Sequence, residues 1–289
     1  MKQCVWLVAL VACGKDAPPS TSTSTTEKPW TCEQMPFAES TPVPEASAAA
    51  WWKLDGKDVL VAVGDSGQHG AYGVIDPETG ATGEQGALPL GDAGDDLEGL
   101  SALGDRLYGL TSAGWMRVWK RDGDAFALVD GPYAIGDGKM ICDKQRSNCA
   151  RDYEGLCLRP KPAAGASACA GYAASRTDGA LYCLTQAEQG YRVDPARKIS
   201  IVAHKGVVAD CTYDDAGALW VGNNLFGNAQ IYRVDGDAEP EHAKVVPIAQ
   251  IGLGFPEVVA VRGDVIWRMS DAGGAPSLMS KFRCRPAAR

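Results

Sequence analysis

Five acidic residues stand at corresponding points of the chain: Glu45, Glu98, Glu154, Asp210 and Glu257. They are 53, 56, 56 and 47 residues apart, and each opens a short apolar run, as in "DDLEGLSAL" from Asp95 and "RDYEGLCL" from Arg151. Carboxylates gathered at one point can do three things. They can hold a hard divalent cation; calcium takes roughly six to eight oxygen ligands, and Ser, Thr, Asn and backbone carbonyls can complete the shell. They can accept backbone N–H groups from a neighbouring segment and tie the two together. They can also share protons, as carboxyl groups in close contact do. All three stay open at this point. Glu98, Glu154 and Glu257 lead as cation ligands, because the Glu45 copy is irregular and Asp210 has the shorter side chain. Ca2+ is the expected cofactor.

The elements that must position these acids repeat with them. In each copy an apolar strand is followed by a Gly/Asp turn and a second strand such as "RLYGL", "ALYCL", "ALWVG" or "VIWRM". A polar cluster comes next, then a third strand ("GWMRVWKRDG", "AQIYRVDG") and a fourth ("AFALVD", "KISIVAH", "KVVPIAQ"). Runs of this length broken by Gly and Asp are hairpin-rich β-structure, and no helical period intervenes. Repeats of about 50 residues with four strands each predict an all-β fold, a five-bladed β-propeller of four-stranded blades. The last copy is short: 33 residues remain from Glu257 to the end. Its fourth strand is expected from "PWTCEQMPF" (Pro29 to Phe37), so that the N-terminal strand closes the ring and Cys32 meets Cys284. In such a ring the first-strand acids gather at one mouth of the central channel. The polar residues after the second strands, such as Asp65, Ser112, Thr185, Asn224 and Asp271, join them there.

The N-terminus reads as an address. "MKQCVWLVALVAC" has one lysine, a short apolar core and a cysteine, and "LVAC" followed by Gly14 resembles the lipobox of bacterial lipoproteins. That resemblance implies a signal peptide over 1–12, lipidation of Cys13 and a membrane anchor. The Ser/Thr/Pro-rich segment 13–29 is then a solvated tether, and 30–289 the propeller. The expected address is the cell envelope, and the outer membrane where there is one. Removing Cys4 and Cys13 from the ten cysteines leaves an even number, the pattern of an exported, disulfide-bonded chain. The pairs expected are Cys32–Cys284, Cys142–Cys149 and Cys157–Cys183, with Cys169 and Cys211 left over. Zinc is disfavoured, since there is no CxxC pair and the three histidines are scattered.

The copies "DDLEGLSALGDRLYGLTSAG" and "YEGLCLRP…DGALYCLTQ" resemble the repeated strands of phytase-like β-propellers, the group described by an esterase-like activity of phytase. The ring of first-strand acids is similar to that of calcium-dependent apyrases, whose five-bladed propeller holds calcium in its channel. The likeness extends over most of Glu45 to Cys284. It implies a calcium position at the aligned acids and supplies no phosphate- or nucleotide-binding set.

Other groups expected at the acidic face are His69 in "GDSGQHG", His204 and Lys205 in "VAHKG", and a basic lobe with Lys144 and Arg146 closed by Cys142–Cys149. These are candidate contacts for a small anionic ligand. The net charge of −8 and pI near 5.0 disfavour nucleic acid as a partner. The expected role is a monomeric binding or scaffold module for a small ligand or a protein partner. The alternative is a calcium-dependent phosphoesterase, and glycan binding through Trp51 or Trp115 is a third class.

Overall fold

The computed structural model describes residues 29–136, 140–161, 168–201, 208–224 and 229–287. The expected leader, Cys13, nearly all of the tether, His204 and Lys205 lie outside the described residues. Two strands, β1 (Trp30–Met35) and β2 (Ser40–Pro44), precede five antiparallel sheets. The first sheet is β3 (Ala46–Leu54), β4 (Lys57–Gly64), β5 (Ala71–Ile75) and β6 (Thr82–Ala87). The second is β7 (Leu97–Leu103), β8 (Arg106–Thr111), β9 (Trp115–Asp122) and β10 (Ala125–Ala134). The third is β11 (Tyr153–Leu158), β12 (Gly171–Ser175), β13 (Ala180–Gln186) and β14 (Tyr191–Ser200). The fourth is β15 (Val208–Tyr213), β16 (Leu219–Asn223), β17 (Gln230–Asp235) and β18 (Lys244–Gln250). The fifth is β19 (Phe255–Arg262), β20 (Val265–Asp271) and β21 (Pro276–Pro286), with β1 as its outermost strand and β2 also pairing with β21. The inner strands β3, β7, β11, β15 and β19 neighbour one another in that order, and β19 returns to β3. The fold is the expected five-bladed propeller.

Sheets of this kind alternate their side chains, so each face must be covered by the next sheet. Leu110, Met116, Tyr153, Leu156 and Tyr182 fill the gap between the second and third sheets. Tyr172, Leu181, Val208, Leu219 and Val221 fill the next gap. Trp52, Trp119, Trp220 and Trp267 are all buried between sheets. An aromatic ring of that size removes roughly 150–250 Å2 from water, a gross gain on the order of 4–6 kcal/mol each before side-chain ordering. Inter-sheet packing therefore dominates the stability of the ring, and it sets the inner strands rigidly around the axis.

Ring closure follows the sequence closely. Cys32 of β1 is directly opposite Cys284 of β21 in the strand register, and the two are disulfide-bonded. Cys142 and Cys149 are also bonded. The expected Cys157–Cys183 pair is not formed: Cys157 bonds Cys211, and Cys169 bonds Cys183. The reason is a strand that the repeat pattern does not predict, ahead of "ALYCL". Residues Gly171–Ser175 form β12, the second strand of the third sheet, which makes "ALYCL" the third strand. Tyr172 is the register partner of both Cys157 and Cys183. Two strand spacings, about 9.5 Å, separate those cysteines, beyond the roughly 7 Å that a disulfide can span. Cys157 instead reaches the inner strand of the next sheet. Moving one strand also moves the polar cluster: Thr185 and Gln186 end a third strand, on the far face, and Arg176 takes the place expected for them.

Candidate cation site at the channel mouth

Every inner strand starts with a β-bulge, one residue that has no partner on the second strand. In β7 it is Glu98, between Leu97 (opposite Thr111) and Gly99 (opposite Leu110). In β11 it is Glu154 and in β19 Glu257. In β3 and β15 the same position holds Ser47 and Ala209. A bulge turns its side chain out of the regular alternation, and here it gives three equivalent glutamates at one end of the axis. The glycines that follow two of them allow the inner strands to meet. A Cβ on Gly99 would stand 2.5 Å from the backbone nitrogen of Leu156, and one on Gly155 would stand 2.9 Å from Cα of Asp210.

This register sets two of the five expected ligands apart from the three glutamates. Asp210 is one residue past the bulge, at the position of Gly99 and Gly155, and its side chain does something else. Its carboxylate accepts the N–H of Cys211 at 2.7 Å and of Val259 at 3.0 Å, tying the fourth sheet to the fifth. Burial pushes its carboxyl well above the ordinary range, against the pull of these two donors and of Arg268. Stapling, one of the three uses open to an acid here, belongs to Asp210. Glu45 precedes its bulge by two residues, with φ +47°, and its Oε2 accepts the side-chain amide of Gln68 at 2.7 Å.

Two acids not singled out as ligands complete the cluster. Carboxylate oxygens of Asp65, Asp96 and Glu98 all lie within 4.8 Å of one another. Asp65 follows the second strand of the first sheet, in the register of Ser112, Arg176, Asn224 and Asp271 in the other four. Asp96 sits just ahead of β7, where its carboxylate accepts the Ser112 hydroxyl. Glu154 is 2% exposed and pairs with Arg176, Nη1 to Oε1 at 3.0 Å. Glu257 accepts the Asn224 amide at 3.4 Å.

The electrostatics are those of acids short of counter-charge. Burial, then Glu154 and Asp65, push Glu98 well above the ordinary carboxyl range. Burial lifts Asp96 to about 6, with Ser112 opposing. Burial lifts Glu154 to about 7 despite Arg176, and burial together with Glu154, Asp271 and Asp65 lifts Glu257 to about 8. Asp152 is raised by burial as well, and its Oδ1 is a buried oxygen with no hydrogen-bond partner among the described residues. Two full charges 4.8 Å apart repel by about 3.5 kcal/mol at an effective dielectric of 20. Three such pairs approach the roughly 5–15 kcal/mol of a whole domain's stability. A cation joining the three carboxylates would relieve that repulsion. The donors are hard oxygens, and Ser112, bonded to Asp96, is at hand to add a neutral one, a set that suits calcium or magnesium.

The expected anion contacts are less concentrated. Lys144 bonds Asp92 at 2.7 Å and lies 5.2 Å from the Trp115 ring centre, so its charge is already matched. Arg146 is exposed in the lobe. His69 has an 89% exposed side chain with Nδ1 3.4 Å from Asp95, whose carboxylate also accepts the His69 and Gly67 N–H groups. Arg176, which the repeat pattern does not single out because it follows β12, brings a cation against Glu154. Asp96 had a signal, since in "DDLEG" it stands two residues before the bulge.

No protein-family model matches the chain. No curated protein matches it. Among solved structures, glutaminyl cyclase of Myxococcus xanthus is similar with a TM-score of 0.55 at 14% identity, covering 91% of this chain and 100% of that one. A luciferin-regenerating enzyme is similar with a TM-score of 0.50 at 12% identity, covering 88% and 95%. At these identities the likeness is one of fold.

Proposed function

We propose that this chain is an exported, lipid-anchored propeller that binds a divalent cation, calcium by its donor set, at the acidic mouth of its channel. Asp65, Asp96 and Glu98 are the ligands, with Glu154 and Glu257 beside them, and the loaded mouth serves as a binding or scaffold surface for a small ligand or protein partner. The observation that carries this reading is the approach of three carboxylates within 4.8 Å, next to the buried Glu154 and the half-buried Glu257. Four disulfides support export to an oxidising compartment. The "LVAC" motif with Cys13 supports the lipid anchor. No helix among the described residues is long and apolar enough to cross a membrane.

The test is calorimetric titration of the chelator-treated full chain with calcium, alongside Asp65→Asn and Glu98→Gln. Stoichiometric binding, weakened at least tenfold in either variant, is the expected result. Absence of heat or of any melting shift at millimolar calcium sinks the proposal. A calcium-dependent phosphoesterase is the second reading. It is favoured by Glu154 and Glu257, whose carboxyls lie near neutral pH, where a proton carrier works best. Turnover of nucleotides, phytate or simple phosphate esters that needs calcium and is lost in Glu154→Gln would establish it.

A further inference from the structure

The opposite end of the axis carries a second feature. A cavity of about 390 Å3 opens where the inner strands finish, on the face away from the glutamates. All five inner strands or the turns after them contribute: Trp51, Leu100 with Ala102, Leu158, Tyr213 and Arg262. The size falls in the range of small-molecule sites, roughly 300–1,000 Å3, as does the mixture of apolar floor and few polar groups. We infer that this far mouth is a second ligand site, taking a small molecule with a flat apolar body and a single carboxylate-like anionic group.

The chemistry of the rim selects the anion. Arg262 lies 3.9 Å over the Trp51 ring and gives Nη1 to Asp58 at 2.8 Å, while its side chain keeps 33% of its surface exposed. Its remaining N–H groups have no acceptor among the described residues, which leaves donors for a carboxylate. Lys161, exposed at the same rim, makes no ion pair among the described residues. The acids of the cup are occupied differently. Asp214 is buried, and its two oxygens take Trp220 Nε1 at 2.9 Å and the Ala218 N–H at 2.8 Å. Asp215 is exposed and accepts the Gly263 N–H at 3.3 Å. Arg159 is committed to Asp237 at 2.6 Å. Unmatched donors thus come from Arg262 and Lys161, above a floor of Leu100, Ala102 and Leu158. Trp51 gives the wall rigidity: its Nε1 is fixed to the Val261 carbonyl at 3.1 Å and its ring meets Trp267 edge-on at 5.1 Å. A preformed wall keeps the ordering cost of binding low.

The experiment uses the full chain and two probes of equal shape, indole-3-acetate and indole-3-acetamide, followed by ligand-observed NMR and calorimetry. The acetate is expected to bind with a Kd on the order of 0.1–1 mM, and the amide about tenfold more weakly. Lys161→Gln and Arg262→Gln should each bring the acetate close to the amide without moving the amide. Ala102→Phe, which fills the floor from a half-buried position, should abolish both; its melting curve separates a filled cup from a lost fold, and Lys161→Gln, at the exposed rim, carries the test if the fold is lost. Equal affinity for acid and amide, unchanged affinity in Lys161→Gln, or no binding of either probe at 10-fold above the expected range overturns the assignment.

Discussion

Arg176 Nη1 stands 3.0 Å from Glu154 Oε1, in the register that Ser112 occupies one sheet earlier. The pair places a protein cation beside the bulge glutamates, so Arg176 competes for the field a bound metal would use. Removing it as Arg176→Ala should tighten calcium binding by about threefold to tenfold, the effect of one half-exposed charge at short range. The same change should lower the melting temperature in chelator, since Glu154 loses its partner. Calorimetry and thermal melts of the two proteins, with and without calcium, read both effects. Weaker calcium binding in Arg176→Ala would place the cation elsewhere.

Glu154 at about 7, Glu257 at about 8 and Asp96 at about 6 all lie above the usual carboxyl values of about 4, with burial as the leading cause. Between those limits the folded chain holds more protons than the unfolded one, so stability falls as pH rises through that window. In chelator the melting temperature should be higher at pH 5 than at pH 8. Calcium replaces the protons, so it should raise the melting temperature at pH 8 and change little at pH 5. Glu257→Gln should flatten the slope in chelator. A melting temperature that climbs from pH 5 to pH 8 in chelator contradicts the account.

How much of this was legible beforehand depends on which residue is asked about. The bulge glutamates announced themselves, because Glu98 and Glu154 are followed by glycine in matching strands and Glu257 recurs at the same phase. Asp210 stands apart because counting acids cannot see a one-residue offset, and on a strand one residue turns a side chain from the channel to the neighbouring sheet. Arg176 was hidden for a similar reason. Small residues around "ACAGYAASRTDG" carry too little β-propensity to mark β12, which forms because the third sheet needs a second strand. Asp65 and Asp96 meet only through the curvature of the ring, a relation between sheets that no local spacing encodes. The far-mouth cup is of the same kind.

Asp210 gives a sharp contrast with the glutamates. It is 1% exposed, and its two oxygens hold the backbone N–H groups of Cys211 and Val259 across a sheet boundary. Asp210→Ala leaves both donors and Arg268 without that partner and should cost about 3–5 kcal/mol. Asp210→Asn keeps one acceptor and should cost less. Neither should change calcium affinity in protein that still folds. Urea denaturation together with a calcium titration distinguishes this staple from a ligand, and a tenfold loss of calcium affinity in Asp210→Asn would return it to the site.

Cys32 and Cys284 bear on the ring as a whole. Their bond joins β1 to β21 across a sequence separation of 252 residues, and with it the fifth sheet is completed by the N-terminal strand. In the chain-entropy view, a loop that long restrains the unfolded state by up to about 5 kcal/mol, more than any short loop can. The Cys142–Cys149 bond spans 7 residues and restrains far less. Replacing Cys32 and Cys284 together by serine should therefore lower the denaturation midpoint much more than replacing Cys142 and Cys149. Opening the fifth sheet also loosens β19, which carries Glu257, so calcium should recover part of the lost stability in the first variant. Equal losses from the two double replacements would mean that strand pairing alone, with Trp30 packed edge-on against Trp220, holds the ring closed.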